Sequence, residues 1–338
     1  IPAALEQTTS SRLRDAASER VSERIEAGDA TLWAPPGTPE VANRLGWLTI
    51  AQRSLADIEG VTSFATECRE DGLTDAVLLG MGGSSLAPEV LRRTFSASTN
   101  VMRLHVLDST DASEIRAVQD QIDPARTLFI VSSKSGGTIE PLSLMAHFRT
   151  LAEASNFIAI TDPGTKLQGT ATEQGFRHIF HGDPDIGGRY SALSAFGIVP
   201  GALMGVDVRG LLAGADGAWS TPLAAGGEQP AAIWLGVVLS ALARAGRDKL
   251  TFAIAESLPG LGLWLEQLFA ESTGKQGKGI LPVAEEPLLE ADFYGDDRVF
   301  VRVSDGALNE PAVDAAMEAR AGAGHPVITI PTDGPMDL

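Results

Sequence analysis

The 338-residue chain has one cysteine, Cys68, two tyrosines and five histidines, and its 26 lysines and arginines are outnumbered by 44 aspartates and glutamates. A single thiol excludes an internal disulfide and a cysteine-based metal cluster, so Cys68 is expected to be a small buried side chain. The formal charge of −18 and a pI near 4.6 argue against a nucleic-acid surface, which needs a basic field. An anionic ligand must therefore be held by local donors. Long hydrophobic runs are also missing. The longest, Ala231 to Ala243, is interrupted by Gly236 and Ser240 and falls short of the roughly 18 to 20 residues of a membrane span. It reads as a buried core helix. Residues 1 to 30 are rich in Glu, Arg and Ser with no apolar block of signal-peptide type, and a cytoplasmic location is expected. The chain begins without methionine and ends just after a strand-like run, so it is expected to be one piece of a longer polypeptide, cut short at the C-terminus.

What is present is globular: 44% hydrophobic and 21% charged residues, in a length that suits two domains. Short apolar runs ending in Gly, Asp, Ser or Pro alternate with helix-length patterns, the mark of parallel sheets covered on both faces. Strands are predicted at 76–79, 104–107, 128–132, 157–160 and 178–180, then at 250–255, 280–284, 299–303 and 327–330. Helices are predicted at 112–121, at 141–152 and through 262–269 to a stop at Gly274. The fold class is α/β, with two doubly wound parallel-sheet domains. The expected division is an N-terminal helical segment over 1–45, a first domain over 46–211 and a second over 230–338, joined by a linker within 212–229. Ligands of such sheets bind at strand carboxyl ends, and the catalytic crevice is expected between the two domains.

Three motifs carry chemistry. Gly80-Met81-Gly82-Gly83-Ser84-Ser85 follows the first strand and Ser132-Ser133-Lys134-Ser135-Gly136-Gly137-Thr138 the third. The first also opens like a dinucleotide-binding fingerprint, with Asp108 imitating the acidic residue of the second strand, but Ser85 stands where the third glycine belongs. Its hydroxyls favour an anion at a helix start. The second turn has no use in a nicotinamide enzyme. Two neighbouring turns can instead grip a phosphate monoester, with Ser133, Ser135 and Thr138 as donors and Lys134 as charge partner. The third motif, Glu271-Ser272-Thr273-Gly274-Lys275, supplies a carboxylate able to move a proton on whatever carries that phosphate. Against these stand plainer readings: tight turns, capping hydroxyls, a surface glutamate and a paired arginine.

Taken in order, Gly80-Met81-Gly82-Gly83-Ser84, the Ser133-Lys134-Ser135 turn with Thr138 and Glu140, Gly187-Gly188-Arg189-Tyr190-Ser191 with Ser194-Ala195-Phe196-Gly197, and Gln267 with Glu271-Ser272 and Gly274-Lys275 resemble the motifs of the phosphoglucose isomerase family. The resemblance runs from about Gly80 to Val283. It implies two sugar-isomerase (SIS) domains of flavodoxin-like type and interconversion of glucose 6-phosphate and fructose 6-phosphate through an enediolate, with no cofactor and no metal. It implies that Gly83, Ser84, Ser133, Ser135 and Thr138 hold the sugar phosphate with Lys134 adjoining, and that Glu271 shuttles the proton between C1 and C2. Arg189 would steady the enediolate and Gln267 place the substrate. A carboxylate base and a nearby cation are also what proton abstraction beside a carbonyl requires.

Members of the family open the sugar ring with a histidine lent by the neighbouring subunit and a lysine on a C-terminal helix, which implies a homodimer. Here the only histidine downstream of Glu271 is His325, at a strand start and expected to be structural, as are His178 and His181. A related form of the enzyme occurs fused to transaldolase, and the chain ends suit such an arrangement. The alternatives are a non-catalytic sugar-phosphate sensor, which could dispense with Glu271 and Arg189, and a nicotinamide-dependent dehydrogenase.

Overall fold

The computed structural model describes residues 1–95, 101–218 and 230–338. The chain divides into two units, Asn43–Ala213 and Ile1–Ala42 with Gly214–Leu338.

In the first unit, five strands form one all-parallel sheet: β1 (Asp75–Gly80), β2 (Arg103–Leu107), β3 (Thr127–Ser132), β4 (Phe157–Thr161) and β5 (His178–His181), in the order β2-β1-β3-β4-β5. β1, β3 and β4 are buried along their whole length, as expected where helices cover both faces, and this is why each reads as an unbroken apolar run. Phe129 stacks on Phe148 and on Phe157, each at 4.8 Å between ring centres, binding β3 to β4 and to helix Ile139–Phe148. Helix Ile58–Glu70 packs against helix Ala195–Leu203. Cys68 on the former is fully buried, and the loss of solvation pushes its thiol up to about 11. It is the inert side chain that its isolation suggested.

The other unit repeats the design with four parallel strands: β6 (Lys249–Ile254), β7 (Leu281–Val283), β8 (Arg298–Asp305) and β9 (Val327–Thr332), ordered β7-β6-β8-β9. Its core joins Leu250, Val299, Val301 and Val303 to Val238, Leu239 and Leu242 of helix Ala231–Arg244. Helix Ala3–Ser18 packs on that same helix and adds Leu5 and Leu13 to the core. Residues 1–42 therefore fold as part of the unit that also holds Gly214–Leu338.

Among the described residues, all nine strands lie where short apolar runs placed them, and both sheets are doubly wound. One expectation is corrected. The proposed linker began at Leu212, yet helix Val208–Ala218 runs through its first seven residues, burying Val208, Leu211 and Leu212. These recur at three- and four-residue spacing, which a window opening at Leu212 cuts in two. The rest of that linker, 219–229, lies outside the described residues.

Asp75, at the start of β1, is buried and accepts from Arg103 Nη2 (3.0 Å) and Thr74 Oγ1 (2.9 Å), with His105 Nε2 at 3.0 Å. Burial raises its pKa, but the donors of Arg103, His105 and Thr74 outweigh burial and leave it lowered. A carboxyl whose pKa is lower in the folded state stabilises the fold above its unfolded value of about 3.9, and that contribution disappears as pH falls through the folded value. Asp75→Ala should cost about 1.5–3 kcal/mol at pH 7, from the strength of hydrogen bonds to a charged group. The gap between wild-type and variant in urea unfolding should narrow below about pH 4; a gap independent of pH would refute the assignment.

Candidate active site

Order β2-β1-β3 sends the chain to opposite sides after β1 and after β3, so a crevice opens at their carboxyl ends. Gly80 and Ser132, the last residues of these strands, are register partners, and the two glycine-hydroxyl turns leave the sheet side by side. Ser132 Oγ donates to the Ser84 carbonyl at 3.1 Å in a buried hydrogen bond that ties one turn to the other. Gly82 takes φ +54° and Gly136 φ +65°, where a side chain is strained. At Gly136 a Cβ would also lie 2.6 Å from the Thr165 side chain.

The caps of the following helices distinguish this crevice from the rest of the sheet. Helix Ala112–Gln119, after β2, is capped by the Asp111 carboxylate, and helix Lys166–Gln174, after β4, by the Thr165 hydroxyl. Helix Leu86–Thr94, after β1, and helix Ile139–Phe148, after β3, have no side-chain cap. Ser85 and Thr138 occupy the cap positions without accepting from the helix; the Ser133 hydroxyl donates to Thr138 Oγ1 at 3.2 Å instead. Neither Ser85 nor Thr138 therefore caps its helix, while the Ser135 hydroxyl accepts from Gly137 N at 3.4 Å within the turn. The first-turn N–H groups of these two helices and the positive ends of the helix dipoles suit an anion.

A cavity of about 400 Å³ sits here, lined among others by Gly83, Ser84, Lys134, Ser135, Thr138 and Arg44. Of these, only Arg44 escaped sequence reasoning, because it lies outside every motif and is delivered by a turn about forty residues upstream of the first glycine loop. Lys134 is half-buried and committed: Nζ donates to Asp162 Oδ2 at 2.5 Å and to the Asp183 carbonyl at 2.6 Å. Asp162, just beyond β4, neutralises much of the charge that this lysine brings to the cavity.

Arg189 lies on the short turn Gly188–Tyr190, its guanidinium 5.9 Å from the centre of the Tyr190 ring, which stacks on Trp47. That turn rests on the first glycine loop backbone to backbone. A Cβ at Gly83 would lie 2.2 Å from the Gly188 carbonyl oxygen, so only glycine permits the approach. Ser191 Oγ donates to the Gly188 carbonyl at 2.7 Å. Gly83, Ser84, Ser133, Lys134, Ser135, Thr138 and the Arg189 turn are thereby gathered in one unit.

Gln267 and Glu271 belong to the other unit, on helix Leu261–Thr273. Four residues apart, they share a helix face, and Gln267 Nε2 donates to Glu271 Oε1 at 3.1 Å. Glu271 is exposed and Gln267 half-buried. The helix stops at Gly274, where a Cβ would meet the Ala270 carbonyl at 2.5 Å. A cavity of about 820 Å³ in this unit is lined chiefly by Ala, Leu and Gly of helix Ala231–Arg244 with Phe269 and Ile280. Arg244, Asp248 and Lys278 also line it.

His325 is buried against the rings of Phe300 and Tyr294, with Nε2 3.2 Å from the Ala291 carbonyl, a structural position. His178 packs on Phe64 and Phe180. His181 lines a separate cavity of about 440 Å³ with Arg53 and Asp57. Among the described residues no group of His, Cys, Asp or Glu is arranged to hold a metal ion, and no helix is long and apolar enough to cross a membrane.

The phosphoglucose isomerase family model matches residues 60–280. A glucose-6-phosphate isomerase of Rubrobacter xylanophilus is 32% identical over 283 residues, covering 78% of this chain and 63% of the relative. The chain thus spans less than two thirds of that relative's length. Among solved structures, a hypothetical protein of Thermus thermophilus matches with TM-score 0.73 and 25% identity over 99% of this chain and 88% of its own. A glucose-6-phosphate isomerase of Chlamydia trachomatis shares the fold at TM-score 0.65 and 20% identity, over 89% of this chain and 65% of its own.

The close approach at Gly83 gives a test. Gly83→Ala must push the Gly188 turn away and should cost about 1–3 kcal/mol of stability, as overpacking does. It should also move the tryptophan fluorescence of Trp47 through its stack on Tyr190. A variant with wild-type stability and an unchanged Trp47 signal would show that the turn yields without effect.

Proposed function

The chain belongs to the phosphoglucose isomerase family, and from that membership we propose that it interconverts glucose 6-phosphate and fructose 6-phosphate through an enediolate. The observation that carries the reading is the pair of uncapped helix starts at the β1/β3 crevice, tied by the Ser132–Ser84 hydrogen bond and lined with hydroxyls. In this reading Ser84, Ser133, Ser135 and Thr138 donate to the phosphate oxygens. Gly83 lets the backbone come close, and Lys134 adjoins as part of its pair with Asp162.

Holding the phosphate fixes one end of the substrate, so the reacting carbons are presented in a single orientation. Glu271 takes the proton from C2 of the open-chain aldose as electrons move toward the C1 carbonyl, the proton of the C2 hydroxyl passes to the C1 oxygen, and Glu271 returns its proton to C1 to give the ketose. The Arg189 guanidinium shares the negative charge that develops on the enediolate oxygens. Gln267, hydrogen-bonded to Glu271, keeps the carboxylate oriented and helps place the sugar. No step invokes a cofactor. The reading extends to a cytoplasmic homodimer whose neighbouring subunit supplies the ring-opening histidine, and to fusion with a transaldolase in the full-length polypeptide, both supported by the family resemblance alone.

The test is a coupled assay of fructose 6-phosphate conversion. Glu271→Gln keeps the shape of the side chain but cannot accept the proton, and turnover should fall about a hundred- to ten-thousand-fold while glucose 6-phosphate still binds. Turnover near wild type would remove Glu271 from the reaction.

A further inference from the structure

Lys134 and Asp162 both line the cavity at the crevice. A carboxylate there opposes a phosphate dianion, and in a chain of net charge −18 its repulsion adds to the general field. Asp162 is also costly to the fold. Its Oδ2 accepts from Lys134 Nζ at 2.5 Å, but its Oδ1 is buried without a hydrogen-bond partner among the described residues. That oxygen lies against Gly182, where a Cβ would come within 2.4 Å of it. A buried acceptor left unpaired is destabilising, so neither phosphate affinity nor stability accounts for a carboxylate in this place.

What the carboxylate does is fix the lysine. Lys134 follows β3 and Asp162 follows β4, and Asp162 N donates to the Lys134 carbonyl at 3.1 Å, so backbone and side chains clamp the two together. Held there, Lys134 Nζ also donates at 2.6 Å to the carbonyl of Asp183, two residues beyond β5. One ammonium thus joins the ends of three neighbouring strands. Asp183 opens the segment that runs to Arg189. Its carbonyl also accepts from Ile186 N at 3.1 Å, its carboxylate accepts from Asp185 N at 2.8 Å and pairs with Arg53, and the turn Gly188–Tyr190 follows.

We propose that Asp162 is a positioning residue for the isomerisation. It holds Lys134 as a tie between the phosphate turn and the segment that carries Arg189, so that the group binding the phosphate and the group facing the enediolate keep a fixed relation. The inference rests on the proposed isomerase reading of this site.

Asp162→Asn keeps the shape of the side chain and removes the charge that holds Lys134. In the coupled assay its kcat should fall about 10- to 100-fold, the range of a hydrogen bond between charged groups. Inorganic phosphate, read by titration calorimetry, should bind at least as tightly as it does to the wild type, since a negative charge has left the cavity wall. A merely structural defect would lower both. In the wild-type chain without phosphate, Lys134 should resist acetic anhydride while exposed Lys166 reacts, read by mass spectrometry, a measurement that does not depend on how the variant folds. Unchanged kcat in Asp162→Asn, a loss of kcat matched by an equal loss of phosphate affinity, or ready acetylation of Lys134 in the free protein would each overturn the role of Asp162 and leave the phosphate site standing. Wild-type protein that binds phosphate without converting fructose 6-phosphate would overturn the isomerase reading and this inference with it.

Discussion

Two helices that begin without a side-chain cap, side by side at the point where the strand order reverses, are the constraint on which the candidate site depends. A helix start leaves several N–H groups without intrahelical partners, and elsewhere in the same sheet the chain satisfies them with Asp111 and Thr165. At the crevice it does not. Ser85 and Thr138 are of the right types to cap, yet neither accepts from its helix. The parallel register that sets Gly80 beside Ser132, together with the Ser132–Ser84 hydrogen bond, brings the two uncapped starts together. A tetrahedral oxyanion with several acceptors fits such a place better than a single side chain does.

The chain as a whole is strongly acidic, with a formal charge of −18, so donors at this cavity act against the net field. A basic surface would draw polyanions of every kind, whereas this protein repels them at long range and offers donors at one cavity. The local charge there is shaped by the pair of Lys134 with Asp162. Glycines do the geometric work, since Gly83 admits the Gly188 carbonyl and Gly136 admits Thr165. Each could be replaced only by moving the loop that it lets in.

Much of this was legible in the sequence because buried parallel strands write themselves as short apolar runs, and because turns rich in glycine and hydroxyls mark the passage from strand to helix. β1, β3 and β4 stand where Ala76, Leu128 and Phe157 open such runs. The stop of helix Leu261–Thr273 at Gly274 was equally plain, since the glycine fits where the Ala270 carbonyl leaves no room. The pairing of Lys134 with Asp162 was not legible, for it requires the β3–β4 register that sets Ser132 beside Ile160. Nor was Arg44, which belongs to no motif and reaches the cavity only through contacts of Asn43–Trp47 with residues 183–190. The helix Val208–Ala218 was hidden by its Ala and Gly content, its apolar anchors falling at one end.

The most direct measurement of the central claim is a crystal structure of the chain grown with glucose 6-phosphate. The expected result is a phosphate group at the starts of helices Leu86–Thr94 and Ile139–Phe148, accepting hydrogen bonds from Ser84, Ser133 and Thr138. A phosphate bound elsewhere, with those two helix starts solvated, would contradict the account.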